Sequence, residues 1–342
     1  MKRILYLSAL PVFGGLAVLF ALLYLFGGGD SQRNQVFVSR DRQWILSGKQ
    51  HLFDATERTF GLDGLFGFAE GIDKWPPAGG PRSGYKPLFV GPDVKTAISD
   101  DEFVIGVVNG HVATAYPLRV AAFHQVIIDE SQERPVTVYF GNCSRTAAAY
   151  SSYSDGRPTY LQCTGFLYRN ADLLFDYQTE SIFQPVTGMF AAGQRLGQRL
   201  RLLPSAVMPL GQWKAIRPDT RVMIEKTGIM GMTYPRVDVL SGPLKFKTAH
   251  VRLPGAPFRE TEPVVALFDG WDCVYVPFAA GKRTGRAEAA FSLNGKLYTV
   301  HFTPDYGSAW ITDESGALVP QIRSVCAVVM SISPGFTPAD LR

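Results

Sequence analysis

At 342 residues, 46% of them hydrophobic and 19% charged, the chain has enough apolar material for a large core, which excludes a disordered polymer. Its length exceeds that of one average domain. The formal net charge of +4 is small, and basic residues are scattered apart from Arg195, Arg199 and Arg201, which argues against a nucleic-acid footprint.

After Lys2 and Arg3 comes an uncharged stretch from Ile4 to Phe26, followed by Gly27, Gly28, Gly29 and Asp30. At ~1.5 Å per residue a helix of that length crosses a hydrocarbon core of ~30 Å. A helix satisfies its own backbone hydrogen bonds inside the bilayer, so residues 1–29 are expected to form one transmembrane anchor. Pro11, Gly14 and Gly15 are compatible with a kinked membrane helix, and Lys2 and Arg3 favour a cytoplasmic N-terminus. The competing reading is a cleaved signal peptide, whose apolar region usually runs roughly 7–15 residues and ends in an Ala-x-Ala-like site. Only glycines stand at that place here, and no cysteine follows for a lipid anchor. Either reading exports the remainder. The expected location is therefore a bacterial inner membrane, crossed once, with the soluble part periplasmic or extracellular. The bilayer itself and other envelope or membrane proteins are the expected partners, and nucleic acid is not.

Residues 30–86 read as a juxtamembrane and Gly/Pro-rich linker segment, punctuated by Trp75-Pro76-Pro77 and Gly79-Gly80-Pro81. From Phe103 the pattern turns β-like. Phe103 to Val108 is short, apolar and β-branched, Asn109-Gly110 signals a hairpin, and Val112 to Tyr116 answers it. Val136 to Phe140, Thr146 to Tyr150, Tyr160 to Cys163 and Leu173 to Asp176 read as further strands, with a turn at Asp155-Gly156. Helical periodicity is confined to Arg119 to Ile128 and Leu210 to Ile216.

A block from Glu262 onward looks like a degenerate copy of this pattern. Asn109-Gly110 through Pro117-Leu118 lines up with Asp269-Gly270 through Pro277-Phe278. Ala147 to Tyr150 with Asp155-Gly156 resembles Ala289 to Phe291 with Asn294-Gly295, and Asp176 to Glu180 resembles Asp313 to Gly316. The expected fold is mainly β (β-rich α+β): the anchor, then two related antiparallel β lobes at residues 87–230 and 231–342.

Five histidines, His51, His111, His124, His250 and His301, include no pair at metal-binding helical spacing. The Gly-rich stretches lack a phosphate-loop ending, and Gly-x-Ser-x-Gly does not occur. Two local groups carry chemistry. His124 with Asp129 has the residue types for a carboxylate-oriented imidazole, against the alternative of a histidine that caps or hydrogen-bonds a turn and a solvated or capping acid. Gly141-Asn142-Cys143-Ser144-Arg145-Thr146 sets a thiol beside a guanidinium that lowers thiol pKa values, but a Cys143–Cys163 disulfide and a buried thiol compete with a nucleophile. Cys273 and Cys326 complete the four cysteines, whose bridging stays open.

At these residues the chain resembles a widespread bacterial and archaeal domain-of-unknown-function family, number 3179, often membrane-anchored. The shared series is Val104-Ile105-Gly106-Val107, Ala115-Tyr116-Pro117-Leu118, His124 with Asp129, Thr146, Gly165 with Leu167, Thr179 with Ser181, then Trp213 and Pro218. Where the family carries Cys-x-x-Cys this chain has Gly141 and Ser144, with Cys143 between them; Gln125 replaces the Glu after the His, and Phe183 replaces a Trp. It resembles a divergent member lacking the Cys-x-x-Cys. The resemblance implies an architecture and a candidate site, with any chemistry of the thiol pair lost. The leading expectation is a binding or assembly module without catalytic activity and without a cofactor. Its alternative is a metal-dependent or thiol-redox protein, with His124 as base or ligand oriented by Asp129, and Cys143, Ser144 and Arg145 lining the site.

Overall fold

A computed structural model describes residues 83–224 and 258–341 almost without interruption, together with shorter stretches between 36 and 81 and residues 234, 238–241 and 244. The expected anchor at 1–29 lies outside the described residues, as do His51 and His250. Among the described residues, no helix is long and apolar enough to cross a membrane. Residues 33–342 form one compact unit rich in antiparallel β-structure.

The hairpin expected from Phe103 exists. Strand β1 (Phe103–Asn109) pairs with β2 (Val112–Pro117), and Gly110 sits in the turn at φ 61°, where a residue without Cβ fits best. Pro117 ends β2 and opens helix α1 (Leu118–His124), as its fixed φ and missing donor favour. The helix stops four residues sooner than the periodicity suggests. Gln125 takes φ 60°, and the β-branched run that follows becomes β3 (Val126–Asp129). Strands β4 (Val136–Gly141) and β5 (Thr146–Ser151) continue from it as an antiparallel pair. Then come β6 (Leu161–Tyr168), β7 (Ala171–Asp176), β8 (Ile182–Gln184) and β9 (Met189–Ala192), a meander with Leu65–Gly67 added at the β6 edge. Strand β10 (Ser205–Pro209), helix α2 (Leu210–Ile216) and β11 (Arg221–Ile224) return to the first hairpin. Helix α2 spans the segment read from the sequence.

The second half repeats part of this plan in matching lengths. Strand β12 (Pro263–Asp269), β13 (Asp272–Pro277) and helix α3 (Phe278–Thr284) have the same seven, six and seven residues as β1, β2 and α1. Strands β14 (Glu288–Leu293), β15 (Lys296–Phe302) and β16 (Ala309–Asp313) form a three-stranded meander. Strand β17 (Gln321–Val325), helix α4 (Cys326–Ile332) and β18 (Thr337–Pro338) close the chain. Register agrees as well. Strand β10 runs antiparallel to β1 from Phe103↔Pro209 to Val107↔Ser205, and β17 runs antiparallel to β12 from Pro263↔Val325 to Leu267↔Gln321. The parallel additions correspond too: Thr114↔Arg221 in the first half, Val274↔Thr337 in the second.

Beyond that unit the correspondence read from sequence does not hold. Thr146–Ser151 pairs with β4 and with β17, whereas Glu288–Leu293 pairs only with β15. Asn294-Gly295 turns a hairpin with both φ values positive, the same role that Arg169-Asn170 plays between β6 and β7. Strands β3, β4 and β5 are extra, and they extend a seven-stranded sheet in the order β18-β13-β12-β17-β5-β4-β3. That sheet draws strands from both halves, so 87–230 and 231–342 share one continuous ladder. Its faces are covered on one side by Tyr139, Leu161, Leu174 and Phe183, and on the other by Val138, Phe140 and Ala149 packed with Ile105, Tyr116 and Val120. The Gly/Pro-rich segment joins in: Ala78 is fully buried and exchanges backbone hydrogen bonds with Val126 and Ile128.

Candidate functional site

Strand alternation puts Tyr139 and Gly141 of β4 on one face, turned toward the β6–β7 pair. The turn 142–145 then brings Ser144 back over that face. Asp172 enters from β7, just before the apolar run Leu173 to Phe175, and Cys163 from β6. The positive φ at Gln125 swings that side chain in from the end of α1.

These residues form one connected polar cluster. The Tyr139 hydroxyl donates to Asp172 Oδ2 at 2.7 Å. Gln125 also hydrogen-bonds Asp172, and its Oε1 accepts from Cys163 Sγ at 3.2 Å. Ser144 bonds the Tyr139 hydroxyl and accepts from the Thr146 amide at 3.2 Å. Tyr139, Ser144 and Asp172 are buried, and Gln125 and Cys163 are half-buried. Burial pushes the Asp172 carboxyl up to about 6 from 3.8, against the opposing hydrogen bonds from Tyr139 and Gln125. Burial, the Asp172 charge and the hydrogen bond to it together hold the Tyr139 phenol well above its ordinary value.

Gly141 sits where three oxygens converge. A Cβ there would lie 2.1 Å from Tyr139 Oη, 2.5 Å from Asp172 Oδ2 and 2.7 Å from Ser144 Oγ. A side chain there, a thiol included, requires Tyr139, Asp172 and Ser144 to shift.

His124 and Asp129 do not come together in one site. His124 is buried; its Nδ1 donates to the Pro76 carbonyl at 2.8 Å, so Nε2 accepts from Tyr234 Oη at 2.6 Å. Tyr85 stacks on the ring at 5.6 Å and Phe123 meets it edge-on at 5.2 Å. Burial lowers its pKa, with the Pro76 bond opposing, which favours the neutral imidazole. Asp129 accepts from Tyr116 Oη at 2.7 Å, from the Ser131 amide and hydroxyl at 2.9 and 2.5 Å, from Gln132 at 3.1 Å, and from Arg221. Each is saturated by its own partners, and Asp129 is buried and paired with Arg221.

Of the remaining candidates, Ser144 belongs to the polar cluster. Arg145 instead reaches outward to the Ser241 carbonyl at 2.8 Å. Cys143 and Cys163 carry thiols rather than the disulfide weighed from sequence; Cys163 spends its donor on Gln125. Among the described residues no group of three His, Cys, Asp or Glu side chains could hold a metal ion. Sequence reasoning missed Tyr139 and Asp172. The available signal was the acid in Ala171-Asp-Leu-Leu-Phe-Asp176, since acids are rarely buried without a partner.

A family model described as "Protein of unknown function (DUF3179)" matches residues 83–239, which include every member of the polar cluster. No curated protein and no solved structure matches the chain.

Proposed function

Taking as premise that the chain belongs, through residues 83–239, to the DUF3179 family of proteins of unknown function, we propose that it is a membrane-tethered extracytoplasmic module that binds a partner protein or helps assemble an envelope complex, with no catalytic activity of its own. The tether in this reading is the apolar stretch Ile4 to Phe26. The two corresponding strand–strand–helix units are its paired lobes, related by duplication and fused through the seven-stranded sheet.

The observation that carries this reading is the closure around Gly141. The resemblance puts a Cys-x-x-Cys at 141 and 144, a spacing suited to metal or redox work. Here the corresponding volume holds a phenol, a carboxyl and a hydroxyl in hydrogen bonds, and a Cβ at 141 would have to displace them. A hydrogen-bonded cluster whose Tyr139, Ser144 and Asp172 are buried serves to rigidify a scaffold. The saturated environments of His124 and Asp129 support the same conclusion.

Two measurements test it. Proteinase K added to spheroplasts should digest the 33–342 unit, whereas survival until lysis would refute the exported topology. Elemental analysis of the purified full chain should find zinc, copper and iron far below one equivalent. A stoichiometric metal that disappears in His124→Ala would refute the noncatalytic reading and favour a metal-dependent protein.

A further inference from the structure

Arg323 of β17 is 7% exposed and lies between Val265 of β12 and Ala147 of β5 in the middle of the sheet. Its Nη1 donates to the Arg145 carbonyl at 3.0 Å, and its guanidinium lies 5.8 Å from the Phe278 ring. Its Nε is buried and has no acceptor. None of the ion pairs among the described residues includes it.

A buried guanidinium without a carboxylate is an electrostatic anomaly, because a buried charge is ordinarily paired. Arginine does not escape by losing its proton: burial pushes Arg323 down only to about 9, still charged at neutral pH. The surroundings add positive charge. The Arg145 guanidinium is close enough to repel Arg323, and Asp238 is the acid whose field opposes that repulsion. The Asp238 carboxylate is engaged by its own turn, accepting from the amides of Leu240 and Ser241 at 3.0 Å each and from the Ser241 hydroxyl. The guanidinium left with an unsatisfied buried donor is that of Arg323.

We propose that this corner, beside the turn 142–145, is a binding site for a small oxyanion of the phosphate or carboxylate class, held by Arg323 with Arg145 as the second cation. Arg323 supplies a planar fork whose geometry matches two oxygens of such a group. The anion would provide the countercharge and the acceptor that Nε lacks. The site is separate from the polar cluster and does not depend on the function proposed above. Two sources offer the same chemistry: a free solute anion and the phosphate of a lipid headgroup.

The test is a titration of the full chain in neutral detergent with inorganic phosphate, at ionic strength held constant with sodium chloride. Thermal unfolding and ³¹P line broadening provide the readouts. Saturable stabilisation is expected, because a ligand that binds only the folded state raises its midpoint. Arg323→Met should weaken the apparent affinity at least tenfold while still folding, since an apolar isostere of a buried charge is often tolerated. Arg323→Lys keeps the charge without the fork and should fall in between; it also serves if the methionine variant does not fold. A parallel arm replaces phosphate with phosphatidylglycerol vesicles, compared with phosphatidylcholine. An Arg323-dependent response to phosphate identifies a solute, and one confined to phosphatidylglycerol identifies a headgroup. If phosphate, sulfate, acetate and phosphatidylglycerol all act no differently from chloride and phosphatidylcholine, or if the Arg323 variants respond as the wild type does, the proposal is overturned.

Discussion

Replacing Asp172 by Asn isolates the electrostatics of the polar cluster. Burial penalises the charged form of this carboxyl and pushes it from an ordinary 3.8 up to about 6 in the fold. That difference corresponds to about 3 kcal/mol. The sign follows from proton binding. Between those two values the folded state holds a proton that the unfolded chain has released, so stability falls as pH rises. The contribution is fully present below about pH 3.8, is lost as pH passes through about 6, and stays lost above. Asparagine keeps an acceptor for Tyr139 and cannot ionise. Urea unfolding of the 33–342 unit, followed by tryptophan fluorescence at half-unit steps from pH 4 to 7.5, should show wild type and Asp172→Asn within about 1 kcal/mol of each other at pH 4. They should diverge by about 3 kcal/mol in favour of the variant by pH 7.5. Parallel pH profiles for the two proteins would refute the reasoning, and a divergence that grows toward acid would reverse its sign.

Gly141→Cys should destabilise the unit by about 1–3 kcal/mol through overpacking against Tyr139 and Asp172, and should leave its metal content unchanged in elemental analysis. Tyr139→Phe removes the 2.7 Å hydrogen bond to Asp172 and should move the wild-type pH transition to higher pH, as measured by the same unfolding series. His124 has a depressed pKa, so its contribution is present above about 6.5 and is lost as pH falls through its lower folded value; His124→Gln should flatten that acid limb in thermal unfolding scans. Trp213→Phe trims a fully buried indole that fits against Gly106 and removes its donor to Thr220, and should cost about 2–4 kcal/mol in the same urea assay.

What local pattern decides was legible from the start. The apolar, β-branched run at Phe103, the turn at Gly110 and the closing Pro117 specify a hairpin by themselves, and the same punctuation specifies its counterpart ending at Pro277. Helix Leu210–Ile216 was equally local. Helix α1 was read too long because Val126 to Ile128 continues the apolar periodicity; only pairing with β4 and with Ala78 makes that run a strand. The candidate site lay further out of reach. His124 and Asp129 are close in sequence, yet a left-handed residue and a strand between them send the imidazole toward Tyr234 and the carboxylate toward Arg221. Gln125, Tyr139, Gly141, Ser144, Cys163 and Asp172 come from a helix end, three strands and a turn, and their meeting depends on how one sheet lies over another. Periodicity encodes which face of a strand is buried. Which polar groups that burial then presses together, and whether they leave space for chemistry, is decided by sheet stacking and register across distant strands.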